Sequence, residues 1–245
     1  MSAGAGRWRG VIAIDGPAAS GKSTLARRLA AELGLAWLDT GAFYRAAALS
    51  VIRAGEDFDD EEGAVGVVRR RVISQEGGRT FLDGEDVETE IRTPRVTEAA
   101  SRVAALPGVR EIMVRSQRRW VRERGGSAVV EGRDIGSVVF PDAPVKVYLT
   151  AEAGERARRR LAELGSDPEA PAVPESLARR DRTDSNRTAS PLRRVQDAVE
   201  INTTDLNADQ AVAEVLGLVR AARADPMRVT GSSSGPSPGI GRWML

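Results

Sequence analysis

The 245-residue sequence contains neither cysteine nor histidine. Disulfides, thiolate nucleophiles and cysteine-based metal sites are therefore excluded, and so are imidazole general bases and Ser-His-Asp triads. Lysine is scarce as well, because Lys22 and Lys146 are the only lysines among 36 basic residues. Any chemistry must rest on carboxylates, arginine, lysine, hydroxyl groups, backbone amides or a bound metal.

Net charge and hydropathy narrow the class of protein further. The formal net charge is +1, so nucleic-acid binding by the molecule as a whole is not expected, and anions must be recognised by local arginine clusters. No apolar run approaches the length of a membrane span, and residues 1–10 lack the apolar stretch of a signal peptide. We expect a cytoplasmic protein with no membrane segment, and a monomer, because no large apolar surface motif stands out.

Short apolar runs alternate with helical patterns along most of the chain. Candidate strands lie at residues 11–14, 35–38, 128–130, 145–149 and 199–201, and helical periodicities separate most of them. This rhythm predicts an α/β fold in which helices cover both faces of a five-stranded parallel sheet, a three-layer α/β/α arrangement. Ligands of such sheets bind beyond the carboxyl ends of the strands.

One stretch interrupts this rhythm. Short strands separated by glycine turns, with a hairpin signal at Asp83-Gly84, precede a helix that Thr93-Pro94 opens. We interpret residues from about 62 to 106 as a subdomain inserted into a single domain of residues 1–225. Residues 226–245 are rich in Gly, Ser and Pro and are expected to form a disordered tail.

A glycine-rich motif of the form G-x-x-x-x-G-K-[ST] follows the first predicted strand and precedes a predicted helix. In this context the motif indicates a P-loop, whose successive backbone N–H groups bind the phosphates of a nucleoside triphosphate. We expect Lys22 to reach the β- and γ-phosphates and the Ser23 hydroxyl to bind Mg²⁺. The predicted ATP-binding residues are Gly16, Pro17, Ala18, Ala19, Ser20, Gly21, Lys22, Ser23 and Thr24.

The segment after the second predicted strand suits a second phosphate group. Asp39-Thr40-Gly41 leads into a helix that carries Arg45, so that a hydroxyl and a guanidinium fork could bind a phosphate together. The alternative is a capped helix with a surface arginine. The N-K-x-D-like motif that switch GTPases use to read their base is absent.

Glu131, Arg133 and Asp134 follow the apolar run at residues 128–130. Glu131 occupies a Walker B-like position, where a carboxylate orients Mg²⁺ or its waters. Asp134 could accept a hydrogen bond from an exocyclic amine, which cytosine carries and uracil lacks. The alternative is that Arg133 and Asp134 form a structural pair.

Residues 179–187 form a dense run of charge after a proline-containing loop. Such a run is usually a solvated helix face. In a phosphotransferase it can also be a lid, whose arginines neutralise the transferring phosphoryl group and whose closure expels water. We predict a lid at about residues 155–187.

In combination, these motifs resemble the bacterial cytidylate kinase family over residues 10–223. The set, in this order, is far more specific than the P-loop alone. Two positions depart from the family pattern: Phe43 replaces a smaller aliphatic residue or methionine, and Asn202 replaces the usual aspartate. The matching segments are Ile14-Asp15-Gly16-Pro17, Asp39-Thr40-Gly41-Ala42 with Tyr44-Arg45, Leu82-Asp83-Gly84-Glu85-Asp86-Val87, Ile91-Arg92-Thr93, Glu131-Gly132-Arg133-Asp134-Ile135-Gly136 with Val139-Phe140-Pro141-Asp142-Ala143, and Arg180-Asp181 with Asp184-Ser185 and Arg187.

The resemblance implies a P-loop NTPase fold that transfers the γ-phosphoryl group of ATP, with Mg²⁺, to CMP or dCMP. It implies that the insert binds the nucleoside monophosphate and that the lid closes on the site. The residues implied for CMP are Ser101, Arg110 and Asp134 at the cytosine, Thr40, Arg45 and Arg133 at the monophosphate, and Arg180, Asp184 and Arg187 at the pentose and phosphates. The residues implied for catalysis are Lys22, Arg133, Arg156, Arg159 and Arg187.

Two alternatives stay open on sequence alone. A kinase for another small acceptor, such as UMP, AMP or shikimate, would share the P-loop and differ at the acceptor site. A non-catalytic nucleotide-binding module would bind ATP without acceptor-dependent turnover, although the intact Lys22, Ser23 and Glu131 argue against it. Assaying a panel of acceptors separates these possibilities.

Overall fold

The computed structural model describes residues 8–164, 173–187 and 190–224. Five parallel strands form its central sheet, and three further strands form a small antiparallel sheet. The central strands are β1 (Val11–Asp15), β2 (Ala36–Asp39), β6 (Ala128–Gly132), β7 (Val145–Thr150) and β8 (Val199–Asn202), and the antiparallel strands are β3 (Ile73–Glu76), β4 (Arg79–Leu82) and β5 (Glu85–Asp86). The spatial order of the central sheet is β2-β6-β1-β7-β8, so the predicted five-stranded parallel sheet is confirmed.

Helices lie on both faces of this sheet, as predicted. The helix after the P-loop ends at Gly34, which adopts the left-handed conformation that favours glycine. The helices are α1 (Lys22–Leu33), α2 (Thr40–Ala54), α3 (Glu61–Arg69), α4 (Pro94–Val103), α5 (Pro107–Glu123), α6 (Ala153–Leu164), α7 (Val173–Asn186) and α8 (Ala208–Ala224), with a 3₁₀ turn at Glu90–Arg92 and a π turn at Ile135–Val139.

Alternate side chains of β1 supply the two halves of the core. Ile12 and Ile14 join α1 and α8 in one apolar cluster, whereas Val11 and Ala13 join α2, α3, α4 and α5 in another. Every residue of β1 is buried, which explains why this strand reads as an uninterrupted apolar run. The carboxyl end of β1, next to the P-loop, is therefore held from both faces.

Residues 62–106, which were predicted to form an insert, share the second of these clusters. Leu82 and Val87 lie in the same apolar cluster as Phe43 of α2. The hairpin predicted at Asp83-Gly84 is present and joins β4 to β5, and a turn at Gly77-Gly78 joins β3 to β4. The insert is thus packed against α2, which begins at the predicted acceptor site.

Two elements were missed by the sequence patterns. Glycines within α3 weaken its helix signal, and its start is fixed by Asp60, whose side chain accepts a hydrogen bond from Gly63 N–H at 3.0 Å. The π turn at Ile135–Val139 depends on a distant partner, Asp15, which accepts hydrogen bonds from two of its backbone N–H groups. Contacts between residues so far apart in the chain leave no periodic pattern in the local sequence.

The structure shows the contacts of the two residues that depart from the family pattern. Phe43 is fully buried and packs in the core of α2. The Asn202 side chain accepts hydrogen bonds from the backbone N–H and the hydroxyl of Thr204, at 3.0 and 2.7 Å, and so closes the turn after β8. The tail predicted at residues 226–245, and most of the proline-containing loop, lie outside the described residues. No described helix is both long and apolar enough to cross a membrane.

Gln117 of α5 is 1% exposed, and neither polar atom of its amide has a hydrogen-bond partner among the described residues. A buried unpaired amide costs about 1–3 kcal/mol. We therefore expect Gln117→Leu to raise the thermal midpoint by at least about 2 °C. Gln75 is equally buried, but its amide is hydrogen-bonded, so Gln75→Leu, the matched control, should lower the midpoint. Calorimetry of both variants checks this, and a less stable Gln117→Leu protein would contradict it.

Candidate active site

A dense group of polar side chains lies in a cleft beyond the carboxyl ends of β1, β2 and β6. The P-loop forms one wall, the start of α2 and the face of α4 form another, and α6 and α7 close over it. The polar residues that line the cleft are Lys22, Ser23, Thr24, Asp39, Thr40, Tyr44, Arg45, Arg92, Thr97, Ser101, Glu131, Arg133, Asp134, Arg160, Glu163, Arg180, Asp184 and Arg187.

Backbone geometry makes the P-loop an anion site. Gly21 has φ +89° and Ala19 has φ +58°, which are left-handed conformations that turn backbone N–H groups toward a common point. A Cβ on Gly16 would collide with the main-chain oxygen of Leu149, so glycine is needed where the loop leaves β1. The first N–H groups of α1 add the positive end of the helix dipole.

Lys22 is buried at the start of α1. Its Nζ donates a hydrogen bond to Pro17 O at 2.6 Å and to Ser20 Oγ at 3.4 Å. Burial, followed by the charge of Arg133, lowers the pKa of Lys22 to about 7. A bound polyphosphate would place compensating negative charge beside the Lys22 ammonium group.

Ser23, Glu131 and Trp37 form a chain of hydrogen bonds next to the P-loop. Ser23 Oγ donates to Glu131 Oε2 at 2.8 Å, and the Trp37 indole N–H donates to Glu131 Oε1 at 3.0 Å. Burial and the nearby charge of Asp39 raise the pKa of Glu131 to about 7.

This donor set fits Mg²⁺ bound together with a nucleotide. The Ser23 hydroxyl beside the Glu131 carboxylate suits an ion that takes one or two protein ligands and completes its shell with phosphate oxygens and water. The buried Glu131 carboxylate would be stabilised by a cation there.

Asp15 is a buried carboxylate that the sequence patterns did not single out. It accepts hydrogen bonds from Ile135 N–H and Gly136 N–H, each at 2.8 Å. Burial outweighs these bonds and raises the pKa of Asp15 to about 6. Because Asp15 precedes the P-loop and Ile135 follows Asp134, this carboxylate joins the two halves of the cleft.

The start of α2 holds the residues predicted for a second phosphate. Arg45 Nη2 bonds Asp39 Oδ2 at 2.9 Å, and its buried Nε has no partner among the described residues. Burial alone would raise the pKa of Asp39, but the charges of Arg45 and Arg92 hold it below its usual value. The Thr40 hydroxyl donates to Glu131 O at 2.7 Å, so this hydroxyl is already engaged.

Asp134 lines the cleft and forms a buried ion pair with Arg110, which lies behind it. Arg110 also donates to Ala104 O at 3.1 Å, and its guanidinium lies 5.5 Å from the Tyr44 ring centroid. Arg110 bonds Asp134 Oδ2, and Oδ1 of that carboxylate has no hydrogen-bond partner among the described residues. Ser101 lines the same part of the cleft.

The arginines of the predicted lid region are spread over three places. Arg133 Nε donates to Asp184 Oδ2 at 2.7 Å, and Arg187 also pairs with Asp184. Burial, together with the charges of Arg133 and Arg45, lowers the pKa of Arg180 to about 10. Arg156 pairs with Asp181.

Arg159 lies behind the P-loop rather than in the main cleft. It donates to Thr203 Oγ1 at 2.9 Å and to Thr203 O at 2.6 Å. It lines a rear cleft, which also includes Thr24 and Leu206.

Most of the predicted site residues therefore meet in one cleft, while Arg110 supports it from behind and Arg156 and Arg159 lie around the P-loop. Sequence reasoning missed several residues that the structure places at or beside the cleft. Some lay within the matched segments and could have been found there, whereas Trp37 and Arg160 gave no signal. The missed residues are Asp15, Trp37, Asp39, Tyr44, Arg92 and Arg160.

The raised pKa of Glu131 predicts a pH-dependent loss of stability. The free energy of unfolding is highest below pH about 4.5, the ordinary pKa of a glutamate side chain. It falls as the pH rises through about 7, the pKa of Glu131 in the folded protein. Glu131→Gln should therefore raise the thermal midpoint of the free protein by about 5 °C at pH 8 and change it little at pH 5. The exposed Glu62→Gln is the matched control, and an equal effect at both pH values would contradict the interpretation.

Comparison with known proteins gives a consistent result. The family model described as Cytidylate kinase matches residues 12–221. The chain is 48% identical over 212 residues to a cytidylate kinase of Caldanaerobacter subterraneus subsp. tengcongensis, covering 85% of this chain and 94% of that protein. It is 49% identical over 219 residues to a cytidylate kinase of Mycolicibacterium paratuberculosis, covering 86% of this chain and 95% of that protein. Because the family model covers most of the chain and these relatives are nearly half identical to it, this chain belongs to the cytidylate kinase family.

Proposed function

We propose that the cleft transfers the γ-phosphoryl group of ATP to the 5′-phosphate of CMP or dCMP, giving ADP and CDP or dCDP. One observation carries the proposal: the P-loop and Asp134, which pairs with the buried Arg110 behind it, line the same cleft. The first suits a triphosphate and the second suits the polar edge of a base.

The donor would bind around the P-loop. Its phosphates would accept hydrogen bonds from the loop amides and from Lys22. The rear cleft could hold the adenine, because the flat guanidinium of Arg159 and the side chain of Leu206 line it beside Thr24. A guanidinium stacks well on an aromatic face.

Mg²⁺ would be held by the Ser23 hydroxyl, with Glu131 orienting it directly or through water. When bound, the ion would supply positive charge that neutralises the phosphates during transfer. Trp37 keeps Glu131 in place by its hydrogen bond to Oε1. Ser23 already lies 2.8 Å from that carboxylate, so little rearrangement is needed.

The acceptor would bind across the cleft from the donor. Arg45 and Arg133 would hold its phosphate, with Thr40 at the start of α2. Asp134 Oδ1 would accept a hydrogen bond from the exocyclic amine of cytosine, and Arg110 holds this carboxylate in position through Oδ2. Uracil presents a carbonyl at that edge, which would face the carboxylate without a proton between them.

The pentose would lie near Asp184, with Arg180, Arg187 and Ser101 around it and the base. Asp184 is already held by Arg133 and Arg187. A carboxylate fixed in this way can accept a hydrogen bond from a sugar hydroxyl, which suits both ribose and deoxyribose acceptors.

Transfer itself would depend on position and charge. The acceptor is already an anion, so no general base is needed, and the absence of histidine is no obstacle. Lys22, Arg133, Arg187 and the arginines of α6 and α7 would neutralise the transferring group and its neighbours. Closure of α6 and α7 over the P-loop would exclude water, which limits ATP hydrolysis.

The cytoplasmic location and the monomeric state belong to the same proposal. ATP and CMP are intracellular substrates. The large apolar side chains exposed among the described residues are Val72, Leu161 and Val199. They lie on three separate elements or connections, and scattered apolar residues of this kind are ordinary on a monomer.

We expect Lys22→Ala to lower kcat by at least about a hundredfold, because a donor aimed at the transferring phosphoryl group is removed. The fold should survive, since the variant loses a buried cation whose pKa is already depressed. Lys146→Ala is the matched control: Lys146 pairs with Asp197 and does not line the cleft. Coupled ADP-release kinetics measure kcat, and near-normal turnover in Lys22→Ala would contradict the assigned role.

An acceptor panel tests the activity itself. With ATP as donor, we expect kcat/KM for CMP and dCMP to exceed the values for UMP, AMP and shikimate. Asp134→Ala should lower the CMP:UMP ratio by at least about tenfold, because a site that hydrogen-bonds the amine no longer does so. Asp197→Ala is the control, as it removes a paired carboxylate elsewhere. An unchanged ratio in Asp134→Ala would show that this residue does not read the base.

A further inference from the structure

A closed ring of hydrogen bonds runs from the mouth of the cleft through the antiparallel sheet and back. It passes through five residues, none of which carries an apolar side chain. In order they are Asp39, Gln75, Thr80, Glu88 and Arg92, with Arg92 returning to Asp39.

The first half of the ring crosses the buried face of the insert. Asp39 N–H donates to Gln75 Oε1 at 2.9 Å, and Gln75 Nε2 donates to Thr80 Oγ1 at 3.4 Å. The Thr80 hydroxyl then donates to Glu88 Oε2 at 2.8 Å, and Thr80 N–H donates to the same oxygen at 3.1 Å. Gln75 and Thr80 are 1% and 0% exposed. Because Asp39 N–H can only donate, Gln75 must present its oxygen to Asp39 and its Nε2 to Thr80.

The second half returns to the cleft through Arg92. Glu88 Oε1 accepts from Arg92 Nε at 2.9 Å and from Arg92 Nη2 at 2.6 Å. Arg92 Nη2 also reaches Asp39 Oδ2 at 3.4 Å. Glu88 therefore presents one oxygen to the buried sheet and the other to the guanidinium.

Such a ring is costly unless every member is satisfied. A buried amide or hydroxyl without a partner loses more free energy than a typical hydrogen bond returns. Apolar residues at Gln75 and Thr80 would fill the same space without that risk. The polar residues therefore have a use other than filling the core, and the only ring member besides Asp39 that lines the main cleft is Arg92.

Arg92 and Arg45 converge on one atom. Both donate through Nη2 to Asp39 Oδ2, at 3.4 and 2.9 Å. Neither Nη1 group has a hydrogen-bond partner among the described residues. Two guanidinium groups on one carboxylate oxygen, with donors left over, form a place where an anion with several oxygens can bind.

We propose that Arg92 is a further binding residue for the phosphate of the acceptor, and that Glu88 and Thr80 are positioning residues that hold its guanidinium beside Arg45. This proposal rests on the proposed function, because it assumes that the acceptor is a nucleoside monophosphate. It gives the antiparallel sheet a role in the reaction: the sheet holds a phosphate-binding arginine that α2 alone cannot supply.

Steady-state kinetics and calorimetric binding on the full chain test the proposal. Arg92→Gln should raise KM for CMP about tenfold, since charge-assisted hydrogen bonds of this kind are worth about 1.5–3 kcal/mol, while KM for ATP stays within about twofold of the wild type. Binding of cytidine, which has no phosphate, should not change. Weaker binding of cytidine, to the same extent as CMP, would overturn the assignment to the phosphate.

A double-mutant cycle separates positioning from general damage. Thr80→Val keeps the shape and loses the hydroxyl donor, and should raise KM for CMP about threefold. In the Arg92→Gln background, Thr80→Val should cause no further increase in KM for CMP, because the effects of two residues that act through one contact are not additive. Glu88→Gln provides a second positioning variant if Thr80→Val folds poorly. Additive effects of both positioning variants on Arg92→Gln would overturn the inference.

Arg53→Gln is the matched control. Arg53 pairs with Glu85 and Glu90 of the same insert but does not line the cleft, so KM for CMP should not change. Failure of this inference is distinguishable from failure of the proposed function. If the wild type phosphorylates CMP and Arg92→Gln leaves its KM unchanged, only the inference fails; if the wild type does not phosphorylate CMP, the proposed function fails.

Discussion

The pairing of cleft cations with carboxylates is the constraint on which this site depends. Several arginines must lie close together to receive phosphate groups, and without counter-charges they would repel one another in a poorly solvated space. Three aspartates provide those counter-charges. The pairs are Asp39 with Arg45 and Arg92, Asp184 with Arg133 and Arg187, and Asp181 with Arg156. Asp181 also accepts a hydrogen bond from Ala18 N–H of the P-loop at 3.2 Å, so a carboxylate occupies part of the P-loop anion site.

These pairs leave the cations incompletely neutralised, which has a consequence for binding. Burial and like charges lower the pKa of Lys22 to about 7 and those of Arg180 and Arg187 to about 10. A protein that holds its cations in this way is stabilised by phosphate, because ligand charge relieves both the desolvation and the repulsion. Affinity for substrates is thus obtained partly at the expense of the stability of the empty protein.

Local signals carried much of the prediction. The P-loop, the five parallel strands and the segments around Arg45, Asp134 and Asp184 each have a pattern within a few residues, so the fold and most of the cleft could be predicted from sequence. The contacts of Asp15, Trp37 and the hydrogen-bonded ring could not, because each joins residues that are distant in the chain and have no characteristic spacing. Arg92 shows the difference, since its segment was matched but only the structure shows that it shares Asp39 with Arg45. Arg159 shows the opposite limit: it was assigned to the predicted lid, but only the structure shows that it lies behind the P-loop on Thr203.

Asp15 explains how two substrates can be held in register. Asp15 is the last residue of β1, directly before the P-loop. Its carboxylate accepts hydrogen bonds from the N–H groups of Ile135 and Gly136, the two residues that follow Asp134. Arg133, on the other side of Asp134, donates to Gly16 O at 3.0 Å. The segment proposed to read the acceptor base is therefore tied at both ends to the loop proposed to bind the donor phosphates. Because in-line transfer depends on the distance between the two reacting groups, a rigid link through the strand ends suits this chemistry better than two sites on separate loops, and it explains why a carboxylate is kept buried there.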